Sequence, residues 1–189
     1  MGDHLVYVIG APGVGKSTLV AALLGSAGWR AVADPIPHLR RGNTVMPGRA
    51  REAFGGTDSL AMSIAPRAEA WISTRPAPTV VGEGDRLAYP RFFEVAAAAG
   101  YRVHLVSLYL PREAAERRRA ERAARLGTKP QNPTWVRGRE SKVDNLTAAL
   151  GAVVLSAEAA PEQIADALAV RLAQRGVHLD RQKEPVSSV

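Results

Sequence analysis

The chain of 189 residues contains no cysteine, which excludes disulfides and thiolate metal sites. No uninterrupted apolar run is long enough to span a membrane, and no segment repeats at a fixed period. A secretory leader is not expected, because the apolar start carries Asp3 and His4 and runs straight into a glycine loop. His38 and His104 lack metal-ligand spacing. Lysine is scarce: of 25 basic residues only 4 are Lys and 21 are Arg, against 18 acidic residues, for a net charge of +7. Arginine offers a planar fork suited to phosphate oxygens, although an Ala- and Arg-rich composition also reflects coding bias. Charge alone therefore supports a polyanionic partner only weakly. These bounds lead us to expect one cytoplasmic domain with an ample core and no membrane partner.

What the sequence does contain begins at its front. Residues 10–18 read GAPGVGKST, matching the phosphate-loop spacing G-x-x-x-x-G-K-[ST]. The flanks fit the motif. HLVYVI at 4–9 predicts a buried strand, and STLVAALL behind the loop predicts a helix. Gly10, Gly13 and Gly15 allow backbone N–H groups to turn inward around an anion, and the helix adds its positive end. Gly10, Ala11, Pro12, Gly13, Val14, Gly15, Lys16, Ser17 and Thr18 are therefore expected to bind a nucleotide. Lys16 would reach the β- and γ-phosphates and Ser17 would hold Mg²⁺.

The rest of the chain alternates between strand-like and helix-like segments. Strands are expected at RAVAD (30–34), around 79–81, at YRVHLVSLYL (101–110) and at 152–155. Helices are expected through LAMSIAPRAEAWIST with a kink at Pro66, and over 86–100, 111–127, 141–150 and 161–176. Thr57 or Asp58 is expected to cap the first of these. TKPQNPTWVRGRE (128–140) reads as irregular, and the tail from 177 as frayed. Alternation of this kind predicts a parallel sheet covered on both faces, here of five strands, with ligands beyond the carboxyl strand ends. Asp34, Glu83 and Asp85 fall at such ends. Glu83 or Asp85 is expected to hold Mg²⁺, with a structural Asp85–Arg86 pair as the alternative.

A guanine-specific switch is disfavoured. SKVD (141–144) follows a polar stretch rather than a strand, and no D-x-x-G follows the third strand. On the helix at 111–127, Arg122 has Arg118, Arg119, Arg125 and Leu126 three and four residues away. Like charges at that spacing destabilise a helix unless an anion lies over them. Arg118 and Arg122 are thus read as a clamp on a phosphoryl group in transfer; the alternative is a solvated face.

Together, GAPGVGKS, Asp34, the Asp85-Arg86 pair, the arginine helix opening LPREAAERRR and the closing PEQIADAL resemble the nucleoside and nucleotide kinase branch of the P-loop fold. The pair and the arginine helix are similar to the D-R pair and lid of thymidylate kinases. The resemblance implies an ATP- and Mg²⁺-dependent kinase domain over 1–176, with an acceptor-binding insert at about 35–75, a lid at 111–141 and a flexible tail at 177–189. It also implies Asp34 as the base for the acceptor hydroxyl. The insert RRGNTVMPGRAREAFGGTD departs from the family's monophosphate-binding segment and leaves the acceptor open.

The chain is further similar, in general look, to phage-encoded kinases that phosphorylate 5-hydroxymethyluracil within DNA. A DNA acceptor fits the basic charge, Arg40, Arg41, Arg49 and Arg51 in the insert, and Trp135 beside Arg137 and Arg139. Asp34, Arg49, Arg51, Asp85, Arg86 and Trp135 are the expected acceptor contacts. Otherwise Trp135 packs the lid and the arginines grip a mononucleotide. A shikimate- or gluconate-type metabolite kinase and a DNA-associated ATPase are the rival readings.

Overall fold

A computed structural model describes residues 2–49 and 55–181. A seven-stranded sheet runs through it in the order β2-β3-β4-β5-β1-β6-β7. The strands are β1 (Asp3–Gly10), β2 (Arg30–Val32), β3 (His38–Arg41), β4 (Thr44–Pro47), β5 (Thr79–Glu83), β6 (Tyr101–Tyr109) and β7 (Val153–Ser156). The helices are α1 (Lys16–Leu24), α2 (Ala65–Ser73), α3 (Pro90–Ala98), α4 (Arg112–Leu126), α5 (Pro133–Leu150) and α6 (Pro161–Ala173).

The central strand β1 is buried almost throughout because helices cover both sheet faces. Its side chains alternate between two cores. Leu5, Tyr7 and Ile9 pack with Trp71 and Ile72 of α2 and with Phe92 and Phe93 of α3. Val6 and Val8 pack with Leu19 and Leu23 of α1 and with Ile164 and Leu168 of α6. Strand pairing from β4 across β5, β1, β6 and β7 is parallel, so the carboxyl ends of these strands share one edge of the sheet.

The sheet has two strands beyond the expected five, and part of it is not parallel. β2–β3 and β3–β4 pair antiparallel. The β3–β4 hairpin turns at Gly42-Asn43, and Gly42 takes φ +49°, a left-handed conformation that glycine adopts without cost. This Gly-Asn pair between two short runs is a two-residue hairpin signal. The hairpin inserts two strands between β2 and β5, which moves Asp34 away from the sheet's centre.

Other elements also differ from expectation. Pro66 lies in the first turn of α2, where its missing N–H costs nothing, so it starts the helix rather than kinking it. The stretch read as irregular opens α5. Asn132 caps it by accepting from the backbone N–H groups of Thr134 (2.8 Å) and Trp135 (3.3 Å), with Pro133 in the first turn. Residues 177–181 pack onto the fold: Val177 is buried and Arg181 pairs with Asp166 of α6 at 2.6 Å. The remainder of the expected flexible tail, 182–189, lies outside the described residues.

Arg40 and Arg41 are structural. Arg40 donates to the carbonyl of Pro76 (2.6 Å). Arg41 is buried, donates to the carbonyls of Leu24 (2.5 Å), Ala27 (2.9 Å) and Asp180 (2.5 Å), and lies 4.4 Å over the Trp29 ring.

Candidate active site

The phosphate loop joins β1 to α1. Gly13 and Gly15 hold φ of +87° and +102°, which turns the chain back into the helix. Gly15 caps α1 without a side-chain hydrogen bond, and no acid occupies the first turn. The helix's opening N–H groups are thereby left to a bound anion. Lys16 folds back to donate to the carbonyls of Gly10 (2.9 Å) and Ala11 (3.2 Å).

Helix α4 closes against this loop. A Cβ on Gly13 would lie 2.7 Å from Cγ of Arg119 and 3.0 Å from the carbonyl of Ala115, so only glycine allows the approach. Arg118 donates to the carbonyls of Val14 (3.3 Å) and Ala157 (3.1 Å), joining the loop to the segment after β7. Arg119 donates to the carbonyl of Pro12 at 2.9 Å.

At the end of β5 the buried Glu83 accepts a hydrogen bond from Ser17 Oγ at 2.9 Å. Burial pushes its pKa up, opposed by the charge of Lys16 and the Ser17 hydrogen bond. Burial likewise lowers the pKa of Lys16, opposed by Glu83, and the charge of Arg122 acts on both groups. Among the described residues no cluster of three or more His, Cys, Asp or Glu would cage a metal. The Ser17–Glu83 pair instead fits Mg²⁺, which takes few protein ligands and draws the rest from water and phosphate oxygens.

Asp85, in the same cleft, is paired instead with helix α5. Its Oδ1 pairs with Lys142 at 2.8 Å and its Oδ2 with Arg139. Both oxygens tie α5 to the end of β5, so the structural partners of Asp85 are Arg139 and Lys142 rather than Arg86.

A short 3₁₀ turn, Thr57–Ser59, completes the site. The fully buried Thr57 donates to the carbonyl of Glu83 (2.8 Å) and hydrogen-bonds the hydroxyl of Tyr7 on β1 (2.9 Å). This network holds Asp58 opposite the strand end. Asp58 Oδ1 accepts from the backbone N–H groups of Asp85 (2.8 Å) and Arg86 (3.2 Å). It therefore caps the β5 turn, not the helix that follows it in sequence.

These groups line one cleft of about 800 Å³, large enough for a nucleotide with a small second ligand. It brings together the loop from Pro12 to Thr18, Glu83, Asp85, Arg86, Arg118, Arg122 and Trp135, all expected from the sequence. It also brings in Asp58, Met62, Arg125 and Arg139, which were not singled out for the site.

Two expected acceptor contacts stand apart from it. Asp34 is 93% exposed, with Arg67 4.0 Å away, and does not line the cleft. Its strand is four positions from β1 in the sheet, roughly 19 Å at the usual interstrand spacing of about 4.8 Å. Arg49 is exposed beside Ser59, which accepts from its backbone N–H at 2.7 Å, and it does not line the cleft either. Arg51 lies outside the described residues.

A glycine loop between the central strand and its helix, an acid on the neighbouring strand end and an arginine helix closing over both define a P-loop kinase fold. The chain belongs to the family described as P-loop Nucleotide Kinase3, whose profile matches residues 1–170, and it is a phosphotransferase. Three solved structures resemble it. A gluconokinase from Sinorhizobium meliloti 1021 is 13% identical with a TM-score of 0.53, over 91% of this chain and 94% of that one. A tunicamycin resistance protein from Deinococcus radiodurans is 17% identical with a TM-score of 0.52, over 95% and 99%. A shikimate kinase from Aquifex aeolicus is 15% identical with a TM-score of 0.50, over 92% and 98%. At these identities the likeness establishes the fold. No curated protein sequence matches the chain. Among the described residues no helix is long and apolar enough to cross a membrane.

Proposed function

We propose that this protein transfers the γ-phosphoryl group of ATP to a hydroxyl of a small acceptor bound between Asp58, Arg86 and Trp135. The observation that carries the reading is that the phosphate loop and a backbone-anchored carboxylate, Asp58, face one cleft. The loop N–H groups and Lys16 hold the β- and γ-phosphates. Ser17 and Glu83 would hold Mg²⁺, which when bound would neutralise negative charge on the phosphoryl group in transfer. Asp58 has one oxygen fixed by two N–H groups and offers the other to the acceptor hydroxyl. As that hydroxyl attacks, its oxygen bonds to the γ-phosphorus and its proton passes to Asp58. The bond to the β–γ bridging oxygen breaks and ADP leaves. Arg122, which lines the cleft, would neutralise charge that builds on the phosphoryl oxygens, and Arg118, which donates to the carbonyls of Val14 and Ala157, would hold the loop beside it.

The acceptor is a nucleotide component or a hydroxylated metabolite of the size that gluconokinase or shikimate kinase handles. A second reading, transfer to hydroxymethyluracil in DNA, is favoured by Trp135, which stands 43% exposed at the cleft and could stack a flipped base. It loses support from Arg40 and Arg41, whose guanidinium groups are taken up by backbone carbonyls.

Label transfer from γ-labelled ATP separates the readings. The panel holds thymidine monophosphate, gluconate, shikimate, plain DNA and hydroxymethyluracil DNA. Transfer to a small acceptor with a shallow salt dependence is expected. Transfer confined to hydroxymethyluracil DNA, falling steeply with salt, would favour the second reading. ATP hydrolysis with no transfer to any member would remove both.

A further inference from the structure

The carboxylate proposed above as the acceptor base is held from beneath by a residue of the central strand. Tyr7 of β1 is fully buried. Its partner in register on β5 is Gly82, where a Cβ would lie 2.5 Å from Cδ2 and Cε2 of the Tyr7 ring. A glycine inside a buried strand marks a close approach, and here it lets the ring lie across β5. The hydroxyl thereby reaches the turn that follows the strand. It donates to the carbonyl of Gly84 at 3.1 Å and lies 2.9 Å from Thr57 Oγ1. Thr57 commits its own hydrogen to the carbonyl of Glu83 at 2.8 Å, so the Tyr7 hydrogen serves both remaining contacts. Burial raises the Tyr7 pKa well above its usual value, which keeps that hydrogen in place.

Both contacts lead to Asp58. The Gly84 carbonyl and the Asp85 N–H belong to one planar peptide unit and point in opposite directions. With the carbonyl turned onto Tyr7, the N–H is turned onto Asp58 Oδ1, 2.8 Å away. Thr57 is the residue before Asp58 in the 3₁₀ turn. A Cβ on Gly84 would lie 2.8 Å from Thr57 Oγ1 and 3.0 Å from Asp58 Cγ, so the turn is seated directly on this peptide. We infer that Tyr7 is a positioning residue: its hydroxyl fixes the Gly84–Asp85 peptide and Thr57, and through them aims the free oxygen of Asp58 into the cleft. Its effect on turnover rests on the kinase reading above.

The test uses Tyr7→Phe, which removes one oxygen and leaves the ring over Gly82. Amide hydrogen exchange of the whole protein, read by NMR, needs no acceptor. The Asp85 and Arg86 amides are expected to exchange about 5-fold or more faster, the equivalent of one lost hydrogen bond. That gain is counted beyond any change shared by the β6 amides, which report global stability. The paired measurement is label transfer from γ-labelled ATP to thymidine monophosphate, gluconate, shikimate and hydroxymethyluracil DNA. With the acceptor that the native protein labels, kcat is expected to fall roughly 10-fold or more, while the KM for ATP stays within about twofold of native. In Asp58→Asn, adding Tyr7→Phe should cost no more than about a further twofold, because both changes act on one group. Acceleration no greater than that of β6, native kcat in Tyr7→Phe, or a full additional loss in Asp58→Asn overturns the inference. Faster exchange at Asp85 and Arg86, while the native protein labels no member of the panel, would sink the kinase reading and leave the positioning of Asp58 standing.

Discussion

Ser17 Oγ donates a hydrogen bond to Glu83 Oε1 across 2.9 Å, joining the first turn of α1 to the end of β5. The two residues stand 66 positions apart in the chain, and adjacent parallel pairing of β1 with β5 is what brings them together. A hydroxyl and a carboxylate so placed beside the phosphate loop are the donors that, on the proposed function, would hold Mg²⁺.

Glu83→Gln keeps the shape of that contact and removes its charge. Turnover should fall on the order of 100-fold or more, in line with the loss of one electrostatic group aimed at the reacting phosphates. The Mg²⁺ concentration giving half-maximal rate should rise in parallel. A Mg²⁺ titration of initial rates measures both. An unchanged midpoint would assign the metal to other groups.

Glu83 is also held in place sterically. A Cβ on Gly56 would lie 2.3 Å from Glu83 Oε1, and Gly56 has φ +56°. Gly56→Ala should therefore displace the carboxylate without deleting any functional group. Turnover should drop roughly 10-fold or more, with a stability loss of about 1–3 kcal/mol, because Gly56 holds a backbone conformation (φ 56°, ψ −145°) that is essentially open to glycine alone. Parallel kinetic and thermal-melting measurements check this. Wild-type turnover in the variant would show that Glu83 tolerates the displacement.

At the opposite end of β1, His4 Nδ1 and His104 Nε2 lie 3.0 Å apart and buried. Burial, followed by the charge of His4, lowers the pKa of His104 to about 4; burial lowers that of His4 as well. Both folded values lie below the unfolded value of about 6.5. The unfolded chain therefore takes up protons first as pH falls. The contribution of the pair is complete above about pH 6.5 and is lost progressively toward about pH 4. Denaturation midpoints at pH 7.5, 6 and 5 should decline for the native protein. His104→Gln should be less stable at pH 7.5 and show a shallower decline. Identical slopes for the two proteins would contradict the assignment.

Much of the nucleotide half of the site was legible because its determinants are local. The motif in GAPGVGKST, the apolar strand before it and the helix after it are contiguous, and the structure assembles them as read. Glu83 and Asp85 were both candidates for the metal; that Glu83 faces Ser17 follows from the pairing of β5 beside β1, and that Asp85 is paired with Arg139 and Lys142 follows from the docking of α5, long-range events that no local pattern signals. Asp34 illustrates the limit more sharply. It was expected to end a strand over 30–34, but β2 stops at Val32 and Asp34 lies in the bend beyond it; the distance of that bend from the phosphate loop is set by strand order, and the β3–β4 hairpin adds two positions. That hairpin had a local signal, Gly42-Asn43 between two short runs, within a stretch read for its basic charge and as an acceptor-binding insert. Asp58 looked like a helix cap in sequence. Its partners, the N–H groups of Asp85 and Arg86, are 27 and 28 residues away. Arg41 looked like a surface contact for an anion, and only the fold shows that it is buried against backbone carbonyls.

The central claim is that Asp58, and not Asp34, receives the acceptor's proton, and steady-state kinetics of two conservative variants test it most directly. With γ-labelled ATP and the acceptor identified from the panel, Asp58→Asn should lower kcat by about 10²- to 10⁴-fold, the range of a lost general base. Its affinity for ATP should stay close to that of the native protein, because the lost group faces the acceptor. Asp34→Asn should retain kcat within about twofold, as expected of an exposed residue remote from the cleft. A collapse of turnover in Asp34→Asn, with Asp58→Asn near native activity, would contradict the account.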